Sequence, residues 1–347
     1  MSSRELRHYC TLFDVNYLLK GLALYRSLMA NETEFRLHIL CMDEATHDYL
    51  TGMALPNVML IRRVDFEGPE LLAVKPGRST AEYCWTCTAS LMSYVLRTRP
   101  EIDLITYLDS DMYFFASPDP VFDELGQAST LLIEHRFSPA LQHLVENGRF
   151  NVGWMTFRRD PEGLAALEWW RDSCIEWCFA RVEDGRMGDQ KYLDSFEAKF
   201  GGVHVLKHKG ANVAPWNFAG YRIAERDGQI TIEEDQLIFY HFHSFKARID
   251  GSFDPMGQAY LTEAPMPKLI YLPYQAAIQA ALAEMRRIEP GFVAGLDPVV
   301  TAQPAAALQP PIVSAQSGTG MLKRFAHALL PQTVRQRLAR VMAPRGS

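Results

Sequence analysis

Asp103-Leu104-Ile105-Thr106-Tyr107-Leu108-Asp109-Ser110-Asp111-Met112-Tyr113-Phe114-Phe115 is an apolar run interrupted by one acidic turn. The part before the turn is short and almost wholly apolar, as in a central strand covered on both faces. Asp109 and Asp111 then fall at its carboxyl end, the edge of an open α/β sheet where ligands gather. Unpaired charge between two buried segments is costly. The turn therefore needs a partner, either a structural cation on a side chain or a divalent metal ion. Two carboxylates one residue apart can converge on a hard cation such as Mn²⁺ or Mg²⁺, which in turn bridges two phosphate oxygens.

Outward from this turn, strand and helix alternate, which predicts an α/β fold with a mixed, mostly parallel sheet flanked by helices. On the N-terminal side, residues 8–13, 35–42 and 58–61 read as strands, and residues 17–29 place Leu18, Leu22, Tyr25 and Met29 on one helical face. Asp43 is a helix cap, and residues 80–97 form a long helix ending before Pro100. On the far side, residues 112–115, 130–133 and 150–157 read as strands, followed by a helix over 161–180 with Pro161 in its first turn. A less regular region holds Gly188-Asp189-Gln190, the loop 208–217 and a strand over 236–242.

With 347 residues, 48% of them hydrophobic, the chain can bury a large core. The formal charge of -6 argues against a dedicated nucleic-acid binder. That charge is unevenly spread: from Pro298 to Ser347 there are six Lys and Arg and no acid, which leaves the body at -12. Residues 298–320 read as a flexible linker and 321–347 as a basic amphipathic helical tail, with membrane-surface contact expected through 321–343. The polar residues 1–7 and the lack of a ~20-residue apolar run predict a cytoplasmic protein, peripheral on the inner face of the cell membrane. Cys84 with Cys87 and Cys174 with Cys178 have spacings that a zinc site would use, but their apolar surroundings favour small core residues.

A metal at the acidic turn needs further ligands, and Tyr240-His241-Phe242-His243-Ser244-Phe245-Lys246 offers them. In a strand His241 and His243 point to one side, imidazole ligates Mn²⁺, and Lys246 is within reach of a diphosphate. These segments together resemble the GT-A glycosyltransferases, and most the glycogenin and lipopolysaccharide galactosyltransferase type, glycosyltransferase family 8. Phe13-Asp14-Val15-Asn16-Tyr17 is similar to the family's first strand and loop. Tyr107-Leu108-Asp109-Ser110-Asp111 matches its metal motif, Asn151-Val152-Gly153 its Asn-x-Gly strand, and Gly188-Asp189-Gln190 its Asp-Gln pair. The stretch from His241 to Lys246 is similar to its late His-aromatic-x-Gly segment, with Ser244 at the glycine.

The resemblance implies a metal-dependent hexosyltransferase domain over 1–297, its nucleotide-sugar part spanning about 1–160 and its acceptor part about 161–297. Asp109, Asp111 and His241 are the implied ligands of Mn²⁺ or Mg²⁺, with His243 the second choice. Thr11, Asp14, Asn16, Tyr17, Asp109, Ser110, Asn151 and Lys246 are the implied contacts of a nucleotide diphosphate sugar. The resemblance further implies transfer of a hexose from a UDP-sugar to a glycan or lipid-linked acceptor with retention at the anomeric carbon. Asp189 or Gln190 would face the transferred sugar, whereas a helix cap is the competing reading for Asp189. Pro215-Trp216-Asn217 places a Trp near the acceptor side, although a buried structural role fits it better. The chain departs from the family in two places: Tyr83-Cys84-Trp85-Thr86-Cys87 stands where an Arg is usual, and no Pro-Trp follows Lys246.

Two other readings share parts of this pattern. A sugar-phosphate nucleotidyltransferase needs a Gly-rich basic loop after its first strand, and Asp14-Val15-Asn16-Tyr17 is not one. A non-catalytic carbohydrate-binding protein on the same fold has no need of an intact Asp109, Asp111 and His241.

Overall fold

The computed structural model describes residues 6–257, 260, 262 and 264–299. Apart from Pro298 and Val299, the expected linker and the whole of the expected tail lie outside the described residues. The strands are β1 (Arg7–Phe13), β2 (Phe35–Cys41), β3 (Val58–Arg62), β4 (Leu104–Leu108), β5 (Met112–Phe114), β6 (Thr130–Glu134), β7 (Phe150–Arg158) and β8 (Val203–Val205). After these come β9 (Ile223–Arg226), β10 (Gln229–Ile232), β11 (Asp235–Gln236), β12 (Phe239–His241), β13 (Lys246–Arg248), β14 (Phe253–Asp254) and β15 (Leu296–Asp297). The helices are α1 (Leu18–Asn31), α2 (Glu44–Met53), α3 (Arg63–Phe66), α4 (Pro69–Val74), α5 (Thr80–Thr98), α6 (Asp119–Leu125), α7 (Pro161–Glu176), α8 (Phe196–Lys199) and α9 (Lys268–Ile288).

The main sheet runs β3-β2-β1-β4-β7-β6-β8, parallel except for β7, which is antiparallel to both of its neighbours. Its five inner strands are largely buried on both sides because each side is covered, while the edge strands β3 and β8 are partly exposed. Along β1, Tyr9 and Phe13 enter the core shared with α1 and α9, while Cys10 and Leu12 enter the core shared with α5 and α7. The expected mixed, mostly parallel α/β sheet is therefore present. Asp43 caps α2 by accepting from the Thr46 N–H at 2.8 Å. All six cysteines are free, and five of them are buried. No helix among the described residues is long and apolar enough to cross a membrane.

Two expected elements differ. The helix expected over 161–180 ends at Glu176, because the Arg78 guanidinium takes its last carbonyls, Cys174 at 2.7 Å and Ile175 at 2.6 Å, and Trp177 turns extended. The strand expected over 236–242 is two strands in two sheets. Ile238 N–H donates to Gly210 O at 2.8 Å, which draws the chain out of the β9–β11 meander. A Cβ at Gly210 would lie 1.8 Å from the Gln236 carbonyl, so only glycine permits this approach. Phe239 to His241 then pair with Phe114 to Met112 of β5.

Candidate metal centre and active site

The pairing of β12 with β5 sets His241 opposite Met112, directly after the acidic turn. The turn is pinned on both sides: Asp109 N–H donates to Gly153 O at 2.9 Å, and Phe242 N–H to Asp111 O at 2.8 Å. His241 Nε2 then lies 3.0 Å from Asp111 Oδ1 and 3.5 Å from Asp109 Oδ2. Ligand atoms of the three residues fall within 4.8 Å of one another, the one such His, Cys, Asp or Glu group found among the described residues. Neighbouring ligands of one ion at ~2.1–2.2 Å are about 3 Å apart, so two carboxylate oxygens and an imidazole nitrogen at these spacings fit a hard divalent cation.

The electrostatics favour positive charge at this point. Burial pulls the Asp111 carboxyl upward, but His241 and the Lys20 ammonium outweigh it and hold it below the usual carboxylate range. Burial alone would lower His241, yet the charge and hydrogen bond of Asp111, joined by Asp109, raise it. Asp109 is raised by burial and by its like-charged neighbour, although the Tyr107 hydroxyl donates to its Oδ1 at 2.9 Å. The His241 ring is aimed by Asn151, whose Oδ1 lies 3.3 Å from Nδ1 and also accepts the Gly153 N–H at 3.0 Å. Such an outer partner fixes which nitrogen faces the ion.

Gly153 explains why Asn151 and glycine occur two apart. An added Cβ would sit 2.7 Å from both Asn151 Oδ1 and His241 Nδ1. Gly153→Ala is expected to weaken activation by Mn²⁺ by about 10–100-fold, the scale on which outer-shell partners of metal ligands act. The measurement is a metal titration of activity beside circular dichroism. An unchanged metal dependence in a folded variant would detach Asn151 from the site.

A cleft of about 320 Å³ opens beside the three ligand residues, lined by Trp85, Asp109, Asn151, Asp189, Gln190 and Trp216 among others. Gly188, with φ +53°, turns the chain so that Asp189 enters this cleft. Asp189 heads the turn Gln190–Ser195, but its side chain makes no cap bond. Burial, followed by the Asp109 charge, pushes its carboxyl up to about 8. The side chain of Gln190 donates to the Asn147 carbonyl at 3.0 Å. Trp216 is 2% exposed and meets the His241 ring edge-on at 5.1 Å, so the Trp is both buried and part of the cleft.

The remaining candidates are spread more widely. Ser110 is buried in the turn. Asp14 caps the short turn after β1, accepting from Asn16 N–H at 3.0 Å; Asn16 is exposed. Tyr17 is 44% exposed as a residue, and its ring lies 4.2 Å beneath the Lys20 ammonium; burial of its hydroxyl end, then the Asp111 and Asp109 charges, hold that hydroxyl above its ordinary range. Thr11 is fully buried, its hydroxyl without a partner among the described residues. Lys246 Nζ lies 3.0 Å from Asp297 Oδ2 instead of against the turn. His243 lies past the end of β12, outside the three-ligand group, with Nδ1 3.0 Å from the Tyr260 hydroxyl.

Ser244, at the position where the resemblance has glycine, adopts φ +63°. That left-handed conformation disfavours residues with a Cβ, so Ser244→Gly is expected to stabilise the fold by about 0.5–1 kcal/mol, read as a higher denaturant midpoint.

One site residue escaped the sequence reading. Lys20 on α1 reaches within 3.8 Å of Asp111 Oδ2 and stacks 4.2 Å over the Tyr17 ring. The signal was a single Lys inside the otherwise apolar Leu18-Leu19-Lys20-Gly21-Leu22, where a buried cation needs an acidic partner.

No family model matches the chain. It is 31% identical over 294 residues to the uncharacterized protein YfnD of Bacillus subtilis (strain 168), covering 84% of this chain and 94% of that one. It is equally 31% identical to YfnF of the same organism, over 82% of this chain and 95% of that one. Among solved structures, the galactosyltransferase LgtC in complex with donor and acceptor sugar analogues is 19% identical, with a TM-score of 0.45 over 67% of this chain and 86% of that chain.

Proposed function

The chain belongs to the family of YfnD and YfnF, and we propose that it is a metal-dependent glycosyltransferase moving a hexose from a UDP-sugar to a glycan or lipid-linked acceptor. One observation carries this reading: two carboxylates and an imidazole converge on one point at the carboxyl end of a central strand, beside a cleft of sugar size.

Asp109, Asp111 and His241 would hold Mn²⁺ or Mg²⁺, which when bound neutralises charge on a departing diphosphate. Lys20 adds fixed positive charge on the α1 side, and Lys246 would reach the same phosphates by leaving Asp297. Asp14, Asn16 and Tyr17 form the corner between β1 and α1 where the uridine would lie. Asp189 and Gln190 line the same cleft; a cation compensating Asp109, whose charge after burial helps hold the Asp189 proton, would let Asp189 ionise and stabilise positive charge growing on the sugar ring. Buried Trp216 and half-buried Phe137 line the cleft and would keep water from the anomeric carbon. Retention of configuration follows from the resemblance, with the leaving phosphate as base. The basic segment 321–343 would bring the domain to an anionic membrane surface, the place of a lipid-linked acceptor.

Calorimetry with UDP in the presence and absence of Mn²⁺, joined to hydrolysis of a panel of nucleotide sugars, tests the reading. Metal-dependent UDP binding and slow hydrolysis of one UDP-hexose are expected. No heat with UDP and Mn²⁺ would sink the assignment.

A further inference from the structure

We propose that the groove adjoining the acidic cleft, walled by Arg136, Lys207, Lys209 and Tyr221, seats an acceptor bearing an anionic group, a carboxylate or a phosphate. Calling the ligand an acceptor rests on the transferase reading above; the anion preference rests on the groove alone.

The groove has a volume of about 630 Å³ and shares Phe137 with the cleft, so a ligand lying in it ends beside the transferred sugar. Its neighbours along the chain tie it to the metal centre. His135, which lines the cleft, precedes Arg136, and Asn217, which lines the groove, follows Trp216. Asn217 Nδ2 donates to His135 O at 2.8 Å, bracing the wall between the two.

Arg136 is held in place at some conformational cost, with φ +51° in a residue that has a Cβ. Its guanidinium donates to the carbonyls of His208, at 3.0 Å, and Ala211, and has no carboxylate within ion-pair distance among the described residues. Its Nε is buried without a partner there. The ammonium groups of Lys207 and Lys209 are exposed and likewise make no ion pair among the described residues.

Nearby acids are already engaged. Glu134, the carboxylate in the groove wall, pairs with Arg149, which also binds Glu197 at 2.6 Å. Glu124 accepts from the backbone N–H of Lys207 and His208 and lies 2.9 Å from His204, while Asp235 accepts from Lys209 N–H at 2.7 Å. The residues lining the groove thus include four cations, Arg136, Arg149, Lys207 and Lys209, against one carboxylate, Glu134, on a body whose charge is -12. Cations in a concave wall concentrate anions, and a half-buried guanidinium fixed by two carbonyls has only its remaining terminal N–H groups to offer a carboxylate or phosphate, beside the two free ammonium groups.

The test uses the full chain and four probes: glucuronic acid, glucose 6-phosphate, glucose and inorganic phosphate, with dissociation constants read by NMR titration. The comparison protein is Lys207→Glu/Lys209→Glu, whose changed side chains are exposed. At least one anionic sugar should bind tenfold or more tighter than glucose, and the double variant should lose that preference. Response to glucuronic acid alone names a carboxylate, and response to glucose 6-phosphate above inorganic phosphate names a phosphorylated sugar. Equal binding of glucose, or an unchanged double variant, overturns the proposal. So does inorganic phosphate matching glucose 6-phosphate while glucuronic acid fails to bind, which leaves an anion site with no acceptor. UDP and Mn²⁺ binding, measured alongside, should be the same in both proteins; its absence from the unaltered chain would remove the transferase reading while the sugar titrations still report on the groove.

Discussion

Asp111→Asn should reduce turnover of the nucleotide sugar by about 10³-fold and weaken Mn²⁺ binding to match. Asn keeps the shape and removes the charge, and a neutral amide is a poor ligand for a hard cation. Asp111 is the ligand nearest His241, at 3.0 Å, and the one closest to Lys20, at 3.8 Å, so its loss leaves two buried cations facing Asp109 alone. Removing one partner of a buried pair costs ~3–5 kcal/mol when nothing relaxes. Asp109, whose carboxyl Asp111 helps hold up, would ionise more readily and offset part of that.

The pH dependence separates the two effects. A carboxyl held low in the folded protein adds stability that is present above its unfolded value near 4 and is lost as pH falls through the folded value. The metal-free variant should therefore be less stable than the unaltered protein at pH 7, and the gap should close toward pH 2. Urea unfolding at both pH values, with turnover measured at 10 °C where both proteins are folded, gives the answer. A folded variant retaining a tenth or more of the activity would remove Asp111 from the metal centre.

How much of this was legible in the sequence differs by element. The inner strands of the main sheet were readable because they are buried on both faces, which forces continuous apolar runs such as Leu104–Leu108, whereas the edge strand β8, three half-buried residues with His204 in the middle, was not. Asp43 was readable as a cap because its effect is local. The split of residues 236–242 was not, since it depends on Gly210, more than twenty residues earlier, accepting the Ile238 N–H. Nor was α9: Pro273 stands inside it, and its buried Ile270, Tyr271, Tyr274 and Ile278 are defined by packing on α1. At the site, Asp109, Asp111 and His241 could be named because their spacing has a chemical reason. Lys20 and the groove residues Arg136, Lys207 and Lys209 could not, because each acquires meaning from a neighbour distant in sequence.

Asp189→Asn should make the protein more stable and less active. Its carboxyl is pushed up to about 8, first by burial and then by Asp109 across the cleft. For a group raised on folding, the favourable contribution is complete below the unfolded value near 4 and disappears as pH rises through about 8. Between those limits the unfolded chain holds a free carboxylate and the folded one a proton, so each pH unit costs roughly 1.4 kcal/mol. Asn carries no such cost. The variant should gain stability over the unaltered protein steadily from pH 4 to pH 8, reaching on the order of 3–5 kcal/mol, and hold a constant advantage above. Turnover should fall about 10²-fold or more, the scale seen when one group stabilising developing charge is removed. The two shifts together mark a residue kept for chemistry against the interest of the fold. A structural cap would show the reverse, lost stability with turnover preserved, and denaturant titrations of the metal-free proteins at pH 5, 7 and 9 tell the two apart.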